Sequence, residues 1–142
     1  MRIWKREATL ELLNKTGQKT LAEALKMQFI EIGDDFLKAS MPVDWWTQQP
    51  AGLLHGGASV ALAETLGSTA SALCTEFPTQ RCVGLEINAN HLKGMTSGNA
   101  IGTVSPIHIG RSTHVWDIRI RNEAGEMVCV SRLTVAVITP RA

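Results

Sequence analysis

The order of apolar and polar positions predicts two strands in the first third of the chain, at residues 27–32 and 36–43. Between them, Gly33-Asp34-Asp35 is typical of a hairpin turn. Two earlier segments, residues 9–15 and 20–26, favour short helices, and the first carries an acidic residue in its opening turn. The pattern therefore predicts a small helical start followed by a pair of strands.

The rest of the pattern predicts one long helix and four more strands. Residues 44–53 are irregular, because proline and glycine interrupt any period. The helix covers residues 56–75, and the strands cover residues 81–92, 99–107, 114–121 and 127–138. Two strands, one helix and four strands do not alternate as in a parallel α/β protein, so we expect an α+β fold with an antiparallel sheet wrapped around the helix.

Length and composition fit a single domain. The 142 residues show no repeat or linker, 44% are apolar and 19% are charged, so residues 1–142 are expected to share one core. A net charge of +1 favours neither nucleic acid nor an anionic membrane as a partner. The sequence lacks an initial signal peptide pattern and any long apolar run, so a cytoplasmic protein is expected.

The cysteines and histidines do not predict a metal site, because neither set has ligand spacing. The cysteine count is odd, which fits a reducing compartment. One interpretation makes Cys74 a nucleophile, but cysteines in apolar surroundings usually serve in packing.

Glu64 is the only acid in the long helix. The helix is apolar on most sides, which is typical of a buried helix, and a buried carboxylate is costly unless it is paired. One interpretation makes Glu64 a base or nucleophile in a cleft, with Ser68 four residues on along the same face. The other places it on an exposed stripe with Thr65, Ser68 and Ser71.

A glycine-rich turn leads into the helix, with the sequence Gln49-Pro50-Ala51-Gly52-Leu53-Leu54-His55-Gly56-Gly57. The first amides of a helix lack intrahelical acceptors and lie at the positive end of its dipole. They can therefore stabilise the oxyanion that forms when a thioester carbonyl is attacked. A simple helix cap is the alternative, but the adjacent His55 and Gln49 favour a functional turn.

The spacing of these two features adds a constraint. Gly56 and Glu64 are eight positions apart, so they stand roughly 12 Å apart at ~1.5 Å per residue. Reacting atoms must lie within about 3–3.5 Å, so one carbonyl cannot meet both residues of one chain. If both act on one bond, Glu64 must come from a second copy, which predicts a two-fold homodimer.

Several motifs together resemble the hotdog-fold acyl-CoA thioesterases, and the match runs along nearly the whole chain. These motifs are Ile3-Trp4-Lys5-Arg6, Met41-Pro42-Val43-Asp44, Gln49-Pro50, Leu53-Leu54-His55-Gly56-Gly57, Ala63-Glu64-Thr65-Leu66-Gly67-Ser68, Val83-Gly84-Leu85-Glu86-Ile87-Asn88-Ala89-Asn90-His91, His108-Ile109-Gly110-Arg111 and Val115-Trp116. The similarity is greatest to the branch that serves menaquinone and enterobactin synthesis, so an aromatic acyl group is expected.

The resemblance implies a curved sheet around one helix, a dimer formed through sheet edges and commonly a dimer of dimers. It implies that Glu64 is the nucleophile or the general base. The Gly56 amide would polarise the carbonyl, assisted by Gln49 and His55, while Ser68 positions water or the carboxylate. No cofactor is implied beyond the coenzyme A of the substrate, or a carrier-protein thioester in its place.

The resemblance also places a coenzyme A groove along Gly84, His91, Lys93, His108, Gly110, Arg111, Ser112 and Thr113. Lys93 and Arg111 are suited to phosphates, and the turn offers amides and hydroxyls. Ordinary strand positions are the alternative for His91 and His108, and a solvated turn is the alternative for Arg111. His114 is expected to be a plain strand residue.

The chain departs from this family near the expected acyl pocket. Trp45-Trp46 stands where relatives carry small or charged residues, and Ala51 stands where they have Phe. These changes indicate either a reshaped acyl pocket or packing against a neighbouring subunit. Two other functions stay open: a hydratase or dehydratase of the same fold, which usually needs an Asp/His pair that is missing after His55, and a non-catalytic acyl-CoA binding module.

Overall fold

The computed structural model describes residues 1–141. The described chain contains three α-helices, one 3-10 turn and six strands. The helices are α1 (Leu10–Thr16), α2 (Leu21–Ala24) and α3 (Gly56–Leu73), and the 3-10 turn is Trp45–Thr47. The strands are β1 (Gln28–Ile32), β2 (Leu37–Pro42), β3 (Arg81–His91), β4 (Asn99–Ile109), β5 (Thr113–Arg121) and β6 (Met127–Ile138).

The six strands form one antiparallel sheet in the order β1-β2-β4-β5-β6-β3. The predicted α+β fold, with a sheet around one helix, is confirmed. β1 and β3 are the edges of the sheet. β3 is the more exposed of the two for its length, with Val83 48% and Leu85 63% accessible.

Helix α3 packs against the sheet through small residues. Leu62, Ala63, Leu66 and Ala70 are fully buried on the side that faces the strands. A Cβ added to Gly67 would lie 2.4 Å from Leu133 Cδ2 of β6, so only glycine permits this close approach. The helix is therefore held against the sheet by shape as well as by burial of apolar surface.

Several predicted boundaries shift. α3 ends at Leu73 because Cys74 leaves helical geometry and caps it, two residues before the predicted end. The α2 segment forms only four helical residues, and β4 runs two residues further than expected, to Ile109. In the segment predicted to be irregular, Asp44 caps the 3-10 turn with its side chain.

The cysteines have the packing role that their surroundings favoured. Cys74 and Cys129 are buried, and all three thiols are free. Burial, with a smaller contribution from Cys82, raises the pKa of the Cys74 thiol to about 11. A thiol with this pKa carries little thiolate at neutral pH, so it is a poor nucleophile. No helix among residues 1–141 is long and apolar enough to cross a membrane.

Candidate active site

The glycine-rich loop before α3 is closed by its own hydrogen bonds. The Gly52 amide donates to the Gln49 carbonyl at 2.9 Å, and the Gln49 amide donates to the Leu53 carbonyl at 2.8 Å. Gly52 has φ +79°, a conformation that favours glycine. The Gln49 side-chain oxygen accepts the amide of Ala51, and Gln49 lines the cleft beside the start of α3.

His55 caps the helix, and this leaves the Gly56 amide free. The Nδ1 of His55 accepts the Gly57 amide at 2.8 Å, and the His55 carbonyl accepts the amides of Ala58 and Ser59. In the chain as described, the Gly56 amide has no such acceptor. It is therefore the donor that the first turn offers to an oxyanion.

A cleft of about 350 Å³ opens beside this amide. A Cβ added to Gly56 would lie 2.8 Å from Nε2 of His91, so the imidazole stands directly against the helix start. Lys93 also lines this cleft, and its ammonium is paired with Glu126 at 2.7 Å. Hydrogen bonds from Lys93 and then Asn122 lower the pKa of the Glu126 carboxyl. Lys93 is therefore already partnered at the helix start, beside the candidate oxyanion donor.

The Glu64 side chain lies against a different part of β3, at Gly84. It is half-buried in the middle of α3, and a Cβ added to Gly84 would lie 2.5 Å from its Oε1. Ser68 is half-buried on the next turn, on the same side of the helix. Ser71 is fully buried, so the expected alternative of an exposed stripe from Glu64 to Ser71 is wrong. Ser71 is buried because α3 packs against β5 at this point, where Ser71 Oγ lies 3.1 Å from Nδ1 of His114.

The turn between β4 and β5 lies near Glu64 and away from the Gly56 cleft. Gly84 is paired with Val135, and Val135 is paired with His114, so β3, β6 and β5 share one row. Two strand spacings of ~4.8 Å place His114 about 10 Å from Gly84. The turn begins beside it with Gly110, whose added Cβ would lie 2.5 Å from Nε2 of His108.

The predicted catalytic and coenzyme A-binding residues therefore fall into two groups within a chain. The helix-start group contains Gln49, His55, Gly56, His91 and Lys93. The Glu64 group contains Glu64, Ser68 and Gly84, with His108, Gly110, Arg111, Ser112 and Thr113 at the adjacent turn. Among residues 1–141, no three His, Cys, Asp or Glu side chains are grouped so that they could hold a metal ion.

The positions at which the chain departs from its family, Trp45, Trp46 and Ala51, do not line the cleft of their own chain. Trp45 is 78% exposed, and Trp46 packs edge-to-face against it. The Lys26 ammonium lies 3.9 Å from the Trp46 ring centroid. Ala51 is exposed on the loop. Within one chain, these residues therefore lie outside the cleft beside Gly56.

Comparison with known proteins gives the family. A sequence profile of the thioesterase superfamily matches residues 51–129, which include the helix start, Glu64 and the β4–β5 turn. The chain belongs to the thioesterase superfamily. It is a thioester hydrolase with the hotdog fold, as the resemblance indicated.

Relatives match the thioesterase along almost its full length. A 1,4-dihydroxy-2-naphthoyl-CoA hydrolase of Escherichia coli strain K12 is 52% identical over 136 residues, covering 96% of this chain and 99% of the relative. A proofreading thioesterase of Cronobacter turicensis is 51% identical over 136 residues, covering 96% and 98%. The crystal structure of a mutant thioesterase from Pseudomonas aeruginosa superposes with a TM-score of 0.95 at 48% identity, covering 97% of this chain and 99% of that one.

Proposed function

We propose that the protein hydrolyses acyl-CoA thioesters, with an aromatic acyl group as the preferred class, at a site shared by two copies of the chain. The Gly56 amide of one protomer holds the carbonyl oxygen, and Glu64 of the other delivers the attack. The observation that carries this proposal is the position of both groups against β3. Gly56 meets this strand at His91, and Glu64 meets it at Gly84.

The exposed edge of β3 explains how the halves meet. Gly84 and His91 are seven residues apart, or about 23 Å at ~3.3 Å per residue. A second β3 that pairs antiparallel about a two-fold axis near the middle of this span brings Gly84 of one copy close to His91 of the other. Glu64 then faces the Gly56 amide across the interface. Pairing also covers an edge with accessible Val83 and Leu85, which in a lone chain would favour aggregation.

The chemistry needs one donor and one carboxylate. As an oxygen nucleophile adds to the thioester carbon, the carbonyl oxygen gains negative charge, which the Gly56 amide stabilises. Collapse of this intermediate breaks the carbon–sulfur bond and releases the coenzyme A thiolate. Glu64 acts either as the nucleophile, giving an anhydride that water then cleaves, or as the base that takes a proton from the attacking water.

The coenzyme A arm is expected to run toward the β4–β5 turn of the protomer that supplies Glu64. This turn begins about 10 Å from Gly84, at two strand spacings, and Arg111 and Ser112 are exposed on it. The Arg111 guanidinium and the turn amides suit phosphate oxygens. Lys93, paired with Glu126, lies instead at the thioester end.

The first experiment measures thiol release from a panel of aromatic and aliphatic acyl-CoAs. Hydrolysis with the highest kcat/KM for an aromatic member is the expected result. Hydration of an enoyl-CoA without thiol release, or tight binding of every panel member without turnover, would replace this proposal with one of the alternative functions.

The shared site is tested by mixing two inactive variants. Gly56→Pro removes the amide hydrogen and adds a ring whose Cβ would lie 2.8 Å from His91 Nε2. Proline is tolerated at the first helical position, and His55, at φ −67° and ψ 130°, has the geometry that precedes proline. Gly56→Ala is the control, since it adds a Cβ at the same place but keeps the N–H.

Gly56→Pro and Glu64→Gln chains are co-refolded in equal amounts. Random pairing makes half the dimers mixed, each with one intact site, so about a quarter of wild-type activity should return. Activity no higher than that of the separate variants would reject a site built from two protomers.

A further inference from the structure

The cleft beside Gly56 is lined by apolar side chains and by one permanently charged group. Its apolar lining consists of Leu53, Leu54, Leu92 and Val128. Of the described residues that line it, Lys93 is the only Lys, Arg, Asp or Glu. A substrate whose carbonyl oxygen lies at the Gly56 amide therefore meets an apolar surface and a single ammonium group.

The strand register brings this ammonium to Glu126. The pairing of β3 with β6 ends at His91, and just beyond it the amides of Leu92 and Lys93 both donate to the Val128 carbonyl, at 2.8 and 3.3 Å. Glu126 comes two residues before Val128, and its carboxylate lies 2.7 Å from the Lys93 ammonium. The ion pair at the cleft is therefore a product of how the two strands end.

The carboxylate of this pair is held more firmly than the ammonium. The Asn122 side-chain amide donates to Glu126 Oε1 at 3.1 Å, and the Glu126 backbone amide donates to Asn122 Oδ1 at 2.9 Å. The turn itself is closed by the Gly125 amide, which donates to the Asn122 carbonyl at 2.9 Å. The Lys93 ammonium ends a flexible four-carbon stem. Lys93 can therefore leave the pair, whereas Glu126 stays in place.

The pair hides the charge of Lys93 without binding it tightly. The two side chains are 47% and 51% exposed, and ion pairs this open to water contribute little to stability. A substrate anion that approaches the ammonium also approaches the fixed carboxylate, and within a Debye length the two charges largely cancel. The cleft therefore offers a cation whose attraction for anions is reduced by its neighbour.

We infer that Glu126 is a specificity-determining residue that acts through Lys93: its carboxylate masks the cation at the cleft and so weakens the binding of thioesters that bring a negative charge to it. The inference rests on the proposed function, because it takes the thioester carbonyl to lie at the Gly56 amide. The negative charge can belong to the acyl group, as a carboxylate, or to the phosphates of coenzyme A.

The test compares three thioesters. S-benzoyl pantetheine has no charge, S-(para-carboxybenzoyl) pantetheine carries one on the acyl group, and benzoyl-CoA carries its charges on the nucleotide. Glu126→Gln keeps the size of the side chain and removes its charge. We expect it to lower KM about threefold for at least one charged thioester, with kcat and both constants for S-benzoyl pantetheine unchanged. The thioester that gains identifies the source of the anion.

Three controls separate this masking from a structural effect. Glu31→Gln breaks another ion pair of 2.7 Å, with Lys38 at the opposite edge of the sheet, and should leave all three thioesters unaffected. In a Lys93→Gln background, Glu126→Gln should give no gain, because the masked cation is gone. In ~1 M salt, where the Debye length is about 3 Å, the gain should disappear.

Equal changes for all three thioesters, no change for any of them, or a gain that persists without Lys93 would overturn the inference. A higher KM for the charged thioesters would overturn it too, because Glu126 would then direct Lys93 to the anion instead of masking it. If the wild type releases no thiol, the proposed function fails. Calorimetric titration with coenzyme A and with S-(para-carboxybenzoyl) pantetheine then still decides whether Glu126→Gln tightens the binding of an anion.

Discussion

The two halves of the proposed active site are built in different ways. The helix-start half consists of a loop, a histidine cap and a backbone amide beside an open cleft of about 350 Å³. The Glu64 half depends on one side chain in the middle of a packed helix, held against Gly84. A backbone donor survives most side-chain replacements, whereas the acid has no substitute. The proposed site therefore combines a half that tolerates side-chain substitution with a half that does not.

The largest effect is expected in the intolerant half. Glu64→Gln keeps the shape but removes both the base and the anionic nucleophile, so kcat should fall at least ~100-fold. Steady-state kinetics with benzoyl-CoA measure this. The same replacement at Glu11, an exposed residue of α1, which packs on β1 at the opposite edge of the sheet, is the control and should leave kcat unchanged. Wild-type turnover by Glu64→Gln would reject its catalytic role, and a raised KM alone would mean that Glu64 contributes only binding.

A smaller effect is expected from displacing the acid without changing it. In Gly84→Ala the new methyl would lie 2.5 Å from Glu64 Oε1, so the carboxylate must move. A shift on the order of 1 Å costs up to ~100-fold, and we expect about tenfold in kcat. Added to Glu64→Gln, Gly84→Ala should cause no further loss, because it acts through Glu64. Additive losses would show that Gly84 acts through something else.

The smallest effect concerns how the stability of the fold depends on pH through the buried residue His114. The pKa of His114 is lowered in the folded protein, chiefly by burial and then by His108 and Lys5. The unfolded chain therefore binds the proton more readily than the folded protein does. The contribution of neutral His114 to the free energy of unfolding is complete above pH ~6.5 and is lost as pH falls toward the pKa of the folded protein.

Thermal unfolding from pH 7.5 to 5 should show this difference. The Tm of the wild type should fall by a few degrees more than that of His114→Gln, which cannot titrate at this position. The other histidines are common to both proteins and cancel in the comparison. Equal slopes for the two proteins would mean that His114 is not the group responsible.

Sequence reasoning could predict the parts of this molecule that repeat locally. The alternating positions of the strands and the apolar faces of the long helix leave a periodic signal, and Glu64 stands out as the one acid in that helix. The hotdog fold is confirmed. The rest depends on contacts between distant residues. Ser71 and His114 are 43 positions apart, so neither the burial of Ser71 nor the partner of His114 is visible in a local pattern. The resemblance implies that His55 assists at the carbonyl, and this stays a prediction. Its Nδ1 also caps the helix, which no local pattern indicates because histidine is an uncommon residue for that task.

The close contact of Gly67 with Leu133 has a consequence for how such enzymes diverge. A matching contact lies on the other side, where a Cβ on Gly102 would come within 2.6 Å of Leu66 Cδ1. Interlocked in this way with two strands, α3 cannot slide or roll without a collision. Substitutions in the loops can then accumulate over evolutionary time, while the position of Glu64 against β3 is inherited unchanged.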